Sequence, residues 1–150
     1  MVVVYTSFSC ISCQKAKKWL KMHGISFQER NVFSYKFQLK DLDSILKNCD
    51  YGFDDIISKR SNFFTVTKID LQNLNTADMK QIIMANPGVL KRPILIEGNK
   101  IQIGYNEQGI RIFIPKKLRE YLIQNNVNFY KENSQYEALL RNFFKNNKLS

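Results

Sequence analysis

The stretch Val2-Val-Val-Tyr-Thr-Ser-Phe-Ser-Cys-Ile-Ser-Cys13 decides how the rest of the chain is read. Val2 to Tyr5 is a run of β-branched and aromatic residues, which predicts a buried strand. Thr6 to Ser12 is a serine-rich loop. A helix is expected next, because Ala16, Trp19, Leu20 and His23 fall on one face while Lys15, Lys17, Lys18 and Lys21 fall elsewhere. Gly24 stands where helices commonly end. Ile25 to Val32 alternates and predicts a second strand. Strand, helix and strand within about 30 residues make a βαβ unit, so the two strands should run parallel.

Two cysteines, Cys10 and Cys13, sit where the first strand gives way to the helix. A cysteine at a helix N-terminus meets unpaired backbone N–H groups and the positive end of the dipole, and both favour the reactive thiolate. A second cysteine three residues on shares the helical face and lies near enough to close a disulfide with the first. CxxC has two blander readings: half of a zinc site, or two small buried side chains. Zinc needs about four ligands, and Cys49 and His23 are the remaining candidates. Cys49 falls on the apolar face of its own predicted helix and reads as a small buried side chain. His23, just before Gly24, reads as a cap or packing residue. A redox pair is the expectation, with no metal and no cofactor.

Beyond Gln38 the period is helical, with Leu39, Leu42, Ile45, Leu46 and Cys49 on one face. Tyr51-Gly52-Phe53 breaks it, and Asp54 to Ser58 predicts a short helix with acids in its first turn. Asn62 to Lys68 is ambiguous between helix and strand. Thr76 is a candidate cap for a helix carrying Met79, Ile82, Ile83 and Ala85. Pro93 opens a strand that turns at Gly98-Asn99 into the alternating Lys100 to Gly104, a hairpin. Pro115 suits the first position of a further helix. A last amphipathic stripe, Tyr136, Leu139, Leu140, Phe143 and Phe144, is expected to dock on its own domain or on a partner.

The 150 residues carry 23 Lys+Arg against 13 Asp+Glu, a net charge of +10. The apolar share of 44% supports a real core and excludes wholesale disorder. No apolar run is long enough to span a membrane, and the start has no basic n-region. A cytoplasmic protein is the expectation. Residues 1–40 hold seven basic and one acidic group, 41–90 five and seven, and 91–150 eleven and five. Two basic flanks thus enclose a mildly acidic middle, as if one unit were inserted into another. Net charge speaks to non-specific attraction, not to fold. No helix-turn-helix or zinc module is legible, which argues against a plain sequence-specific DNA-binding protein.

The order β-α-β, helical insertion, β-β-α, with CxxC behind the first strand, resembles the thioredoxin-like plan. That implies an α/β fold with a mixed four-stranded sheet. Residues 1–35 and 88–123 would form the thioredoxin-like domain, 36–87 an inserted helical domain, and 124–150 a partly helical C-terminal tail. Pro93 suits that fold's cis-proline, which faces the active cysteine. Tyr5 to Cys13, Arg30-Asn31, Gly52, Ile56 to Ser58, Arg60-Ser61, Pro87-Gly88, Arg92-Pro93-Ile94 and Gly104 to Glu107 together resemble Spx. This is a family of redox-sensing transcriptional regulators of low-GC Gram-positive bacteria, in the arsenate-reductase-like branch. The resemblance runs from Met1 to about Arg119.

What the resemblance implies is a protein, monomeric when free, that binds the C-terminal domain of the RNA polymerase α subunit. It would meet promoter DNA only within the polymerase complex. Cys10 and Cys13 would be the disulfide switch, and Arg92 would respond to its redox state. Gly52 would lie in the polymerase-facing surface, with Lys47 nearby where the family often has Arg. Arg60 would be a second structural or functional arginine of the arsenate-reductase-like site and a further partner-binding residue, or would equally pair with Asp54 or Asp55. Recognition by the ClpXP protease and its adaptor is governed by the C-terminus in that family. The sequence departs from the pattern at Gln14 and Asn62, where basic residues are usual, and in its longer tail. The alternative function is a thiol-dependent reductase of the arsenate reductase or glutaredoxin type, using Cys10 as nucleophile. Arg60 and Arg92 would then hold an oxyanion, joined by Arg111 only if its loop folds back. Cys13 beside Cys10 is not the usual arsenate reductase design, and the pair lacks the Pro common in glutaredoxin sites. No enzyme is therefore expected.

Overall fold

A computed structural model describes residues 1–125 and 133–147. The elements run β1 (Val2–Thr6), α1 (Ile11–Met22), β2 (Phe27–Asn31), α2 (Leu39–Lys47), α3 (Phe53–Ile56), α4 (Asn62–Thr67), α5 (Thr76–Ala85), β3 (Ile94–Glu97), β4 (Lys100–Ile103), α6 (Lys116–Gln124) and α7 (Ser134–Asn146). The sheet order is β2-β1-β3-β4. As the βαβ argument requires, β1 and β2 are parallel, with Val2 opposite Phe27. β3 runs antiparallel to β1, with Val4 opposite Leu95, and β3 and β4 form the expected hairpin. The fold is α/β and thioredoxin-like, with a mixed four-stranded sheet.

β1 is inner and covered on both faces, which is why its sequence is continuously apolar instead of alternating. Val2 and Val4 join a cluster with Trp19, Leu20, Leu118 and Leu122, under α1 and α6. Tyr5, with Val3 packed alongside, joins a second cluster with Leu42, Ile45, Ile83 and Ile94, under α2 and α5. The helices of residues 36–87 thus share a core with one face of the sheet. A buried carboxylate fastens them there. Asp41 of α2 is 2% exposed. Its Oδ1 accepts from the Arg30 guanidinium at 2.7 Å and the Tyr5 hydroxyl at 2.9 Å, while Oδ2 accepts the Gln38 N–H at 2.8 Å.

Local boundaries differ from the sequence reading in several places, and one ambiguous stretch is resolved. α1 begins at Ile11, inside the expected loop, because Cys10 itself serves as the N-cap. Asn75, not Thr76, caps α5, its side chain accepting the Asp78 N–H. Pro115 precedes α6 as its cap residue, so Lys116 is the first helical position. Asn62–Thr67 is helical. Cys49 lies beyond the end of α2, half-buried, with its thiol donating to the Ile45 carbonyl at 3.3 Å. Burial pushes that thiol up to about 11, helped by Asp55 and Asp50.

The tail stripe docks on its own chain. Tyr136 and Leu140 enter the cluster under α1 and α6, with Phe143 and Phe144 packed against it. His23 is the hinge of this contact. It is buried, it stacks on Trp19, and its Nδ1–H donates to the Trp19 carbonyl at 2.7 Å. That leaves Nε2 to accept from the Tyr136 hydroxyl. The imidazole is therefore wanted neutral, and burial, with Arg111 nearby, lowers its pKa from 6.5 to about 4.

A depressed histidine pKa means that the unfolded chain binds the proton first as pH falls. Stability should be intact above pH 6.5 and decline below it toward the folded value near 4. We expect a loss of about 2 kcal/mol by roughly pH 5, read from urea unfolding, with His23→Leu flattening that slope. An unchanged slope in the variant would show that His23 is not the group responsible.

Candidate functional site

The C-terminal end of β1 leads into the loop Ser7 to Cys10, where Ser9 takes a left-handed φ of 54°. The turn delivers Cys10 to the N-cap of α1, and its Sγ accepts the Cys13 N–H at 3.3 Å. The sulfur thus meets the end of the helix that favours negative charge. Cys10 is half-buried, flanked by the exposed Phe8 and Ile11. Cys13, one turn on, is 2% exposed. Burial pushes the Cys13 thiol up to about 12; the neighbouring Cys10 adds to this, while the Ser7 backbone and Arg92 oppose it. All three cysteines are free thiols. The two partners of the pair are therefore unlike, one open at a cap and one buried. Among the described residues no three His, Cys, Asp or Glu side chains gather as a metal site would need.

Cys10 opens into a cleft of about 460 Å³ shared with Ser58, Lys91 and Arg92. The Arg92-Pro93 peptide is cis, as expected for the start of β3. Ser58 and Arg92 also border a second cleft of about 650 Å³, lined by Phe33, Arg60, Ser61 and Gly88 among others. So Arg92 and Arg60 meet on one cavity, and Arg92 links that cavity to Cys10. The Arg92 guanidinium lies under the Phe33 ring, 5.3 Å from its centroid. Its Nη1 and the Ser61 Oγ are buried without a hydrogen-bond partner. Arg60 is exposed and makes no ion pair with Asp54 or Asp55. Arg111 does not reach this place: it lies in the turn Gly109–Phe113 and acts on His23 instead. Phe33 had no signal in the sequence, because an exposed aromatic in a loop gives no periodicity.

Lys47 and Gly52 line neither cleft. Lys47 is the exposed last residue of α2. Gly52 caps α3 with φ 62° and ψ −129°, a conformation that effectively requires glycine. An added Cβ would meet nothing within 4 Å, so backbone shape, not crowding, demands the residue. The neighbouring Tyr51 is 79% exposed. A short stretch of backbone ties this region to the cysteines. Just after α3, Ile57 forms an antiparallel bridge with Leu90. The Ser58 N–H donates to the Val89 carbonyl at 2.8 Å, and the Lys91 N–H to the Ile56 carbonyl at 2.7 Å. Arg92 and cis-Pro93 follow at once. Lys148-Leu-Ser150, the end on which ClpXP recognition turns by the resemblance, lies outside the described residues. No helix among the described residues is long and apolar enough to cross a membrane.

Comparison with known proteins agrees with this architecture. Residues 5–113 match the ArsC family. The chain is 44% identical over 124 residues to the global transcriptional regulator Spx of Staphylococcus aureus, covering 83% of this chain and 95% of that protein. Among solved structures, an arsenate reductase from Vibrio cholerae superposes with a TM-score of 0.61 at 12% identity, covering 75% of this chain and 93% of that one. An arsenate reductase related protein from Brucella melitensis gives 0.55 at 23% identity, covering 75% and 92%. The structural likenesses show the fold, and the sequence likeness goes further: the chain belongs to the ArsC family and, within it, to the Spx group of global transcriptional regulators.

Proposed function

We propose that the chain is a cytoplasmic, redox-responsive regulator that binds the C-terminal domain of the RNA polymerase α subunit and alters promoter use under thiol stress. Residues 1–35 and 88–123 carry the switch, and 36–87 carries the polymerase-facing surface at Lys47, Tyr51 and Gly52. The observation that carries this reading is the Ile57–Leu90 bridge. It joins the exit of α3, whose cap is Gly52, to the residues just before Arg92 and the cysteine cleft.

The switch is a two-electron step. A peroxide or a small disulfide takes two electrons, the Cys10 and Cys13 thiols each lose a proton, and a Sγ–Sγ bond forms. Cys10 reacts first, because it is the more open of the two and Cys13 is held as a thiol by its burial. Closing the disulfide removes the Cys10 sulfur from its role as acceptor for the Cys13 N–H and changes what faces Arg92. Arg92 and the bridge beside it then bias the Gly52 surface between two populations. The basic flanks add salt-sensitive attraction to promoter phosphates once the polymerase complex has formed.

A specific observation favours a second reading. Arg60, Arg92 and Ser61 line one cavity, and two of their polar atoms are buried unpaired. That is a setting an oxyanion would satisfy, as a thiol-dependent arsenate reductase requires. Arsenate-dependent thiol consumption that disappears in Cys10→Ser would establish that activity. Consumption at the level of a no-enzyme control would exclude it.

Two outcomes are expected for the regulator. Brief alkylation at about pH 8 should modify Cys10 at least about tenfold faster than Cys13 or Cys49, scored by peptide mass spectrometry; preferential labelling of Cys13 would reverse the assignment of roles. In pull-downs of the α-subunit domain, reduced protein, oxidised protein and Cys10→Ala should differ in affinity. Lys47→Glu and Tyr51→Ala should each weaken capture, and Gly52→Arg should abolish it. The positive φ at Gly52 costs an arginine about 1–3 kcal/mol of backbone strain. The two exposed substitutions, which carry no such strain, therefore decide the matter. Normal capture in both would mean that the surface lies elsewhere.

A further inference from the structure

The tail helix closes a cavity that neither the cysteine pair nor the Gly52 region uses. It measures about 510 Å³ and lies between the end of α1, the start of α6 and the last turns of α7. His23, Gly24, Lys117, Leu118, Phe143 and Phe144 line it. Two benzene rings and a leucine make its wall chiefly apolar, and its size is that of a small-molecule site. Gly24 shapes it: at φ 63°, with no side chain, it lets the Phe144 ring lie against the backbone, where a Cβ would come within 2.5 Å.

Among the described residues, Lys117 is the charged side chain that lines this cavity. Lys117 is exposed in the first turn of α6 and makes no ion pair among the described residues. Arg111 stands near enough to His23 to oppose a positive charge there. Among the described residues no carboxylate lines the cavity. His23 is already committed at both ring nitrogens, to the Trp19 carbonyl and the Tyr136 hydroxyl, and so contributes a flat wall. These features favour an apolar, preferably aromatic occupant with an anionic group at one end.

We propose that this cavity binds a small aromatic carboxylate, its ring against Phe143, Phe144 and Leu118 and its carboxylate at Lys117. Phe143 and Phe144 belong to α7, which lies beyond residues 5–113, the part that matches the ArsC family. The site is thus an addition to the family domain, and it is independent of the regulator reading. An occupant braces α7 against α1 and α6, so binding and tail docking favour one another.

The test uses the full chain with phenylacetate as probe and phenethyl alcohol as its uncharged counterpart. Trp19 is the single tryptophan and stacks on His23 with ring centroids 3.8 Å apart, so its fluorescence reports on the cavity wall. A saturable change with phenylacetate is expected. Lys117→Gln should weaken phenylacetate by about two- to fivefold, the size of an exposed ion pair, and leave the alcohol unchanged. Asn147→Phe, at the cavity lining, should abolish the response to both. Absence of a saturable change, equal weakening of acid and alcohol by Lys117→Gln, or full binding in Asn147→Phe would each overturn the proposal.

Discussion

A single carboxylate governs how the helices of residues 36–87 meet the sheet. Asp41 is buried, and a buried charge is tolerated only when it is paired and hydrogen-bonded. Its partners come from three places: Tyr5 on β1, Arg30 on β2 and the Gln38 N–H at the start of α2. The Arg30 guanidinium also lies over the ring of Tyr35, 5.0 Å from its centroid. Desolvation offsets much of the attraction in such a cluster, so its contribution is better described as geometric than as strongly stabilising. It allows one placement of α2 on the sheet. α5 packs against α2, and the chain leaving α5 returns through Leu90 to the cysteine cleft.

That dependence explains where the site lies. β1 feeds one core from Val2 and Val4 and the other from Tyr5, so its end stands where both cores run out. Cys10 emerges there, and it faces Ser58, just past α3, together with Lys91 and Arg92, just before β3. The net charge of +10 has little part in this arrangement. What matters locally is one guanidinium held under an aromatic ring, with one nitrogen left unpaired.

Much of this was legible in the sequence because it rests on local rules. The parallel β1–β2 pair follows from strand, helix and strand spacing, and the hairpin from Gly98-Asn99 between alternating residues. Cys10 and Cys13 could be placed at a helix start from order alone, although the helix begins earlier because a cysteine, an unusual cap, opens it. Asn62–Thr67 was undecidable, since Phe63 and Phe64 followed by Thr65, Val66 and Thr67 carry strand-like side chains on a short helix. The rest depends on distant contacts. Nothing in the sequence near Asp41 announces Tyr5 or Arg30 as its partners. Nor does any local pattern lay Phe33 over Arg92 or bring the Tyr136 hydroxyl to His23. Arg60 and Arg92 could be named together only from the family resemblance, and their shared cavity is a product of the fold.

The strand order has a further consequence for how the molecule meets others of its kind. With β1 and β3 inside, the sheet ends in β2 and β4, and an open strand invites a neighbouring chain to pair with it. Both ends are poor templates. β2 spans five residues and carries the exposed Gln28 and Glu29 beside Arg30. β4 spans four, begins with a lysine and has the turn Gly109–Phe113 lying against it. Short, polar outer strands discourage edge-to-edge aggregation, even in a chain with such an apolar centre. The sheet edges thus favour partners that meet side chains and clefts over ones that extend the sheet.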